Sequence, residues 1–184
     1  ETDPAYAEVA RASATVPGVE LRKIGSLYSY PIHMNHKNKY LSDKKVRQAI
    51  AYAINRDEIC TKGFFGLWPP NDLFAHEGSK WANSKARLPP YDKARAEKLL
   101  DEAGYPRGSD GWRFELRLTQ STAVACMTIS EIAKEQLQAI GIKIKWDVFD
   151  TATYSEKYQK GDFDLISRWT RYGPSPNDGF GAYF

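Results

Sequence analysis

The sequence predicts an α/β fold, a mixed sheet with helices packed on it, and three patterns carry that expectation. Trp112, Phe114, Leu116 and Leu118 alternate with charged residues, as do Ile142, Ile144, Trp146 and Val148 with polar ones, the period of strands with one buried face. Between them Ile129, Ile132, Ala133, Leu137 and Ile140 fall at helical spacing. A short helix ending at Gly161 and a further strand over Phe163–Trp169 complete a strand–helix–strand–helix–strand order.

Taken in order, Asp3-Pro4 opens a short helix, and Pro17-Gly18 is a turn leading to a short strand around Val19, Leu21 and Ile24. Leu27–Asn35 is the next strand. A helix follows with Ser42 as its N-cap and Val46, Ile50, Ala53 and Ile54 on its buried side; Asp57 then caps a turn carrying Ile59. Gly63–Pro90 shows no period but is rich in aromatics, which suggests a loop laid over the core with Phe64, Phe65, Trp68 and Trp81 as anchors. Asp92 caps a helix burying Ala94, Leu99 and Leu100, and Gly104 with Pro106 ends it. The long helix is expected to open within Thr119–Thr122 and to stop at Gly141, and Thr151 or Thr153 to cap the helix after it.

At 184 residues, with 42% hydrophobic and 27% charged residues, the chain suits one well-buried domain or a lobe of something larger. Its net charge of +3 is spread without a Lys/Arg block, so nucleic acid is not an expected partner. No apolar run has the length of a membrane-spanning helix, and no signal-peptide pattern opens the sequence.

Phosphate-loop, zinc-site, paired-cysteine and nucleophile-elbow patterns are all missing, so no catalytic residue, metal ligand or cofactor is expected. His33 and His36 stand three apart on a strand and turn, where surface or hinge roles outweigh metal binding. Cys60 and Cys126 are the only cysteines. A disulfide and two buried thiols both remain open, because spacing does not fix geometry.

The string DKKVRQAIAYAINRD, Asp43–Asp57, closely resembles the signature of the family-5 extracellular solute-binding proteins. These are oligopeptide- and dipeptide-binding receptors of ABC importers, with nickel- and haem-binding relatives. Tyr30–Asn35, Tyr91–Tyr105 and Glu131–Trp169 resemble further family segments in the family's order. The resemblance implies a periplasmic-binding-protein-like (type II) lobe, with residues 1–26 ending a first-lobe segment and 27–184 forming most of the second, C-terminal lobe, truncated. It also implies a fragment of a longer exported protein, a monomer that is periplasmic or extracellular and membrane-anchored. Such a protein captures a peptide or small solute by two-lobe closure and meets the permease subunits of its importer.

The segment RWTRYGPSPND, Arg168–Asp178, leaves a strand for a Gly/Pro-rich loop, a common way to present groups to a cleft. In peptide-binding relatives a Trp is followed three residues on by an Asp that pairs with the peptide ammonium. Trp169 matches the Trp here and Pro176 the following Pro, but Tyr172 holds the Asp position. Either Asp178 supplies the charge or the ligand has no ammonium there. Trp169, Tyr172, Asn177 and Asp178 are the closing-loop ligand contacts, and Tyr28, Tyr30 and Asn35 those of the crossover strand. Arg171, or Arg168, is placed to meet a ligand carboxylate. The rivals are an α/β enzyme using Cys60 or histidine chemistry, and a protein-interaction module exposing Phe64, Phe65 and Trp68 as a patch.

Overall fold

The computed structural model of the chain describes residues 12–13, 15–20, 28–73, 82–122 and 124–171. The opening helix, the strand around Leu21 and Ile24, and Trp81 therefore lie outside the described residues.

Two strand segments come first, β1 (Tyr28–Ser29) and β2 (Ile32–Met34), in place of the single expected strand. Helix α1 (Lys44–Ala53) follows, burying Val46, Ala49, Ile50 and Ala53. Its N-cap is Asp43, not Ser42: the Asp43 carboxylate accepts from the Lys45 N–H at 2.7 Å. Ser42 belongs to the preceding turn and donates its hydroxyl to the Lys39 carbonyl at 3.0 Å. The single turn α2 (Arg56–Glu58) is capped by Asn55, which accepts from the Glu58 N–H at 3.0 Å, while Asp57 sits inside it. A π-helical turn, Ile59–Gly63, continues from it.

Helix α3 (Lys93–Glu102) begins at Asp92 as expected, but it buries Ala96 with Leu99 and Leu100 and leaves Ala94 exposed. Gly104 then takes φ 85° and releases the chain from the helix, a conformation that costs glycine nothing. Strand β3 (Phe114–Ser121) runs on through the polar residues where a helix was expected, because Thr119, Gln120 and Ser121 pair with Asp147, Val148 and Phe149. Helix α4 (Val124–Ala139) opens only after that, and β4 (Ile142–Phe149) follows it. Asp150, rather than either threonine, caps α5 (Thr151–Lys160), accepting from the N–H groups of Ala152 and Thr153 at 2.9 and 3.1 Å. Thr153 instead donates its hydroxyl to that carboxylate at 2.6 Å. The last described strands are β5 (Leu165–Ser167) and β6 (Thr170–Arg171).

The sheet is mixed, as the sequence predicts, with order β2-β5-β3-β4. β3 pairs parallel with β4 and with β5, and β2 runs antiparallel to β5. Successive residues of β5 face opposite sides, and this sorts the helices into layers. Leu165 joins Leu116, Leu118 and Ile144 in the main core with residues of α1, α3 and α4. Ile166 joins Tyr154 of α5 and Phe163 on the other face. At the edge the cover thins, and Val148 is 39% exposed.

A charged side chain closes the base of the main core. The Arg113 side chain, 3% exposed, donates from Nε to the Ile140 carbonyl at 2.9 Å and from Nη1 to the Tyr105 carbonyl at 2.6 Å. It also pairs with Asp101. One guanidinium thus joins the ends of α3 and α4 to the start of β3.

Candidate functional site

Connections fix where a site can lie. From β3 the chain passes over one face through α4 to β4, then back beneath the other through α5 to β5, on the far side of β3. The reversal puts the switch point at the carboxyl ends of β3 and β5, the crevice where open α/β sheets bind ligands. Buried polar side chains gather there: Thr119, Gln120 and Ser121 end β3, and Ser167 and Thr170 end β5 and begin β6. Gln120 accepts from the Ser130 hydroxyl of α4 at 2.6 Å. The Tyr154 hydroxyl donates to the Ser167 carbonyl at 2.6 Å, while the Ser167 Oγ has no hydrogen-bond partner among the described residues.

A two-stranded ribbon rises from this edge. Tyr28 pairs with Arg171 and Ser29 with Thr170; Ile32, His33 and Met34 pair with Ser167, Ile166 and Leu165. Both ladders share one register, in which Tyr30 falls opposite Trp169. The Arg168 N–H donates to the Pro31 carbonyl at 3.2 Å and the Asn35 N–H to the Asp164 carbonyl at 2.9 Å, so the odd-numbered residues of the first strand form the hydrogen-bonded pairs. Tyr30 and Trp169 are thus a non-hydrogen-bonded pair, the kind whose side chains approach most closely.

Aromatic stacking supports that pair from one side. Tyr30 stacks on Trp68 with ring centroids 5.4 Å apart, and Trp68 on Phe64 at 4.1 Å. The series runs from Phe64, 3% exposed, outward to Tyr30, whose ribbon partner Trp169 is 51% exposed. Offset aromatic faces of this kind suit planar or apolar ligand groups.

Four of the eight expected ligand residues therefore share one end of the ribbon: Tyr28 and Arg171, placed by backbone register, with Tyr30 and Trp169 beside them. Asn35 stands at the other end of the ribbon. Its Nδ2 donates to the carbonyls of Gly161 and Phe163, each at 2.9 Å, and its Oδ1 accepts from the Lys37 N–H at 3.0 Å. That amide fastens the strand end to the end of α5. Tyr172, Asn177 and Asp178 lie outside the described residues. Trp68 is expected as a loop anchor or, on the rival reading, as part of an exposed patch; its stacking on Tyr30 has no signature in the local sequence.

Among the described residues, neither rival finds its chemistry. Cys60 carries a free thiol whose pKa is pushed up to about 11, by burial first and then by the Asp57 charge, the reverse of what a nucleophile needs. The Cys126 side chain is outside what is described. Phe64 is buried and Trp68 half-buried, so the expected patch with Phe65 is not formed. No cluster of metal-ligating side chains occurs among the described residues, and no described helix is long and apolar enough to cross a membrane.

His33 projects from β2 toward Tyr158 of α5, ring centroids 5.8 Å apart, in a groove also lined by Asn35, Lys37 and Lys160. Arg168 lies over the same tyrosine ring at 4.1 Å. Burial, and secondarily the Arg168 charge, lower the His33 pKa to about 4. The folded state therefore takes up the His33 proton less readily than the unfolded chain. The contribution is intact above pH 6.5 and is lost as pH falls from there to about 4. Thermal melts across that window should show Tm falling, with a shallower fall in His33→Gln; equal slopes would contradict the assignment.

A doubly wound sheet with an aromatic ribbon at its carboxyl edge defines a lobe of the periplasmic-binding-protein class. Solved structures agree. The periplasmic binding protein AgaA from A. tumefaciens R10, in complex with agropinic acid, superposes with TM-score 0.74 at 30% identity, covering 90% of this chain and 33% of that one. DppA from Helicobacter pylori, in complex with the peptide STSA, superposes with TM-score 0.82 at 21% identity, covering 94% of this chain and 33% of that one. The chain belongs to the bacterial extracellular solute-binding proteins, family 5, whose middle-region model matches residues 3–184. It is 32% identical over 150 residues to the glutathione-binding protein GsiB of Salmonella choleraesuis, covering 78% of this chain. The Escherichia coli K12 form of GsiB is 31% identical over 139 residues. The chain spans only about a quarter of these relatives' length: 27% and 25%.

Proposed function

We propose that residues 27–184 act as the second lobe of the solute-binding component of an ABC importer, and that residues 1–26 belong to the edge of the first. The lobe captures a peptide-like or other small solute between two closing faces, makes or breaks no covalent bond, and hands the solute to permease subunits. It works outside the cytoplasmic membrane, as a monomer. Within the chain, one observation carries the reading: the Trp169 indole stands half exposed at the carboxyl edge of the sheet, opposite Tyr30, although most large apolar side chains below it are buried. GsiB is named for glutathione and AgaA is in complex with agropinic acid, which supports a solute bearing carboxylates. Arg171, Tyr172, Asn177 and Asp178 complete the proposed contacts with Tyr28, while Asn35 acts by fixing the strand end.

Calorimetry on the full-length protein tests this with glutathione, agropinic acid and the peptide STSA as probes. At least one should bind, and Trp169→Ala should weaken it tenfold or more with Tm unchanged, in keeping with about 1.5 kcal/mol for a lost aromatic contact. Binding of no probe, or full affinity in Trp169→Ala, would count against the reading.

A further inference from the structure

The ribbon has a weak rung, and its position suggests a use. Its register is continuous from Tyr28–Arg171 to Met34–Leu165, yet the ladder divides into two sheets between Ser29 and Ile32. Pro31 lies at that division. In an antiparallel ladder a hydrogen-bonded pair exchanges two bonds. At this pair the Arg168 N–H donates to the Pro31 carbonyl at 3.2 Å, but proline has no N–H to return. The Arg168 carbonyl therefore receives no ladder bond across the ribbon. Nothing in the register slips there; a single donor is missing.

The two sides of this rung are anchored to different elements. Below it, Arg168 lies over Tyr158 and the Tyr154 hydroxyl holds the Ser167 carbonyl, both from α5. Above it, Tyr30 is held by Trp68, which rests on Phe64 of the loop after the π-helical turn. The residue before a proline is confined to extended backbone, so Tyr30 keeps its strand geometry without the missing bond.

We infer that Pro31 is a positioning residue, a one-bond pivot about which the tip carrying Tyr30 and Trp169 tilts against the four-stranded sheet. Tip and aromatic stack move together, and the angle of the Tyr30–Trp169 pair follows whatever rests on it. The ligand-bearing role of that pair rests on the function proposed above; the pivot itself does not.

Hydrogen exchange on the full-length protein without ligand separates the two. Pro31→Ala supplies the missing N–H. Its new amide should exchange at least tenfold more slowly than an unstructured one, and the Ser29 and Thr170 amides should each gain about tenfold protection. Pro31→Thr, better suited to a strand, should do the same and guards against a folding defect particular to alanine. An unprotected residue-31 amide, or unchanged protection at Ser29 and Thr170 in both variants, overturns the pivot. Stopped-flow release of whichever probe binds then gives the consequence: slower tilting should change the release rate several-fold, and an unaltered rate would refute the positioning role. Exchange reads the pivot with no ligand present, so failure to find a ligand leaves that half of the test intact.

Discussion

Arg113→Ala is expected to lower the free energy of unfolding by about 3 kcal/mol, with the loss read from urea denaturation. The guanidinium is almost wholly enclosed and donates to the Ile140 and Tyr105 carbonyls. Removing it leaves those two acceptors in a space alanine cannot fill, and hydrogen bonds from a charged donor contribute roughly 1.5–3 kcal/mol each. The ion pair adds little, because Asp101 is 55% exposed and regains water when its partner leaves. Arg113→Lys should recover only part of the loss, since a single ammonium cannot span both carbonyls and the carboxylate. A change below about 1 kcal/mol in Arg113→Ala would mean that water replaces the guanidinium at little cost.

Leu118→Ala should destabilise the chain by a similar amount, roughly 2–5 kcal/mol. Leu118 is 0% exposed and sits in β3, the central strand of the parallel trio, paired with Trp146 on one side and Leu165 on the other. Its side chain faces the layer built by α1, α3 and α4, so the cavity would open where helices and sheet meet and could not close by moving one loop. Leu118→Met, near in volume, should cost under about 1.5 kcal/mol. Equal costs for the two substitutions would contradict close packing around Leu118.

The fold was largely legible because its periods are strong. Alternation marked the first half of β3 and the start of β4, and helical stripes marked α1 and α4, since those stretches bury a single face. The errors fall where two nearby residues offer the same chemistry. Ser42 and Asp43 can both cap a helix, and only the turn around Asn38, which hydrogen-bonds the Tyr40 N–H at 2.8 Å, decides between them. Thr119–Ser121 reads as the start of a helix because polar residues seldom continue a buried strand; the partners that make it strand lie on β4 and β5.

The proposed contacts can be named from the sequence, but their arrangement cannot. Tyr30 and Trp169 were each named, yet their juxtaposition depends on a register set between distant segments. Trp68 was assigned to packing for the same reason: stacking on Tyr30 is a tertiary fact. Asn35 was named for its place at a strand end, and the hydrogen bonds to Gly161 and Phe163 that occupy its side chain could not be read locally.

The ribbon also bears on the order in which the molecule assembles. Asn35 and Phe163, joined through the Asn35 amide, are 128 residues apart in the sequence. The stretch between them carries both parallel crossovers, whose contacts form over much shorter spans. Closing the longest loop costs entropy that few ribbon contacts can repay until β5 is already held by β3. The first strand should therefore dock last, onto a finished parallel core. The aromatic edge would then be the final part of this chain to take shape and, by the same reasoning, the first to open under mild denaturant.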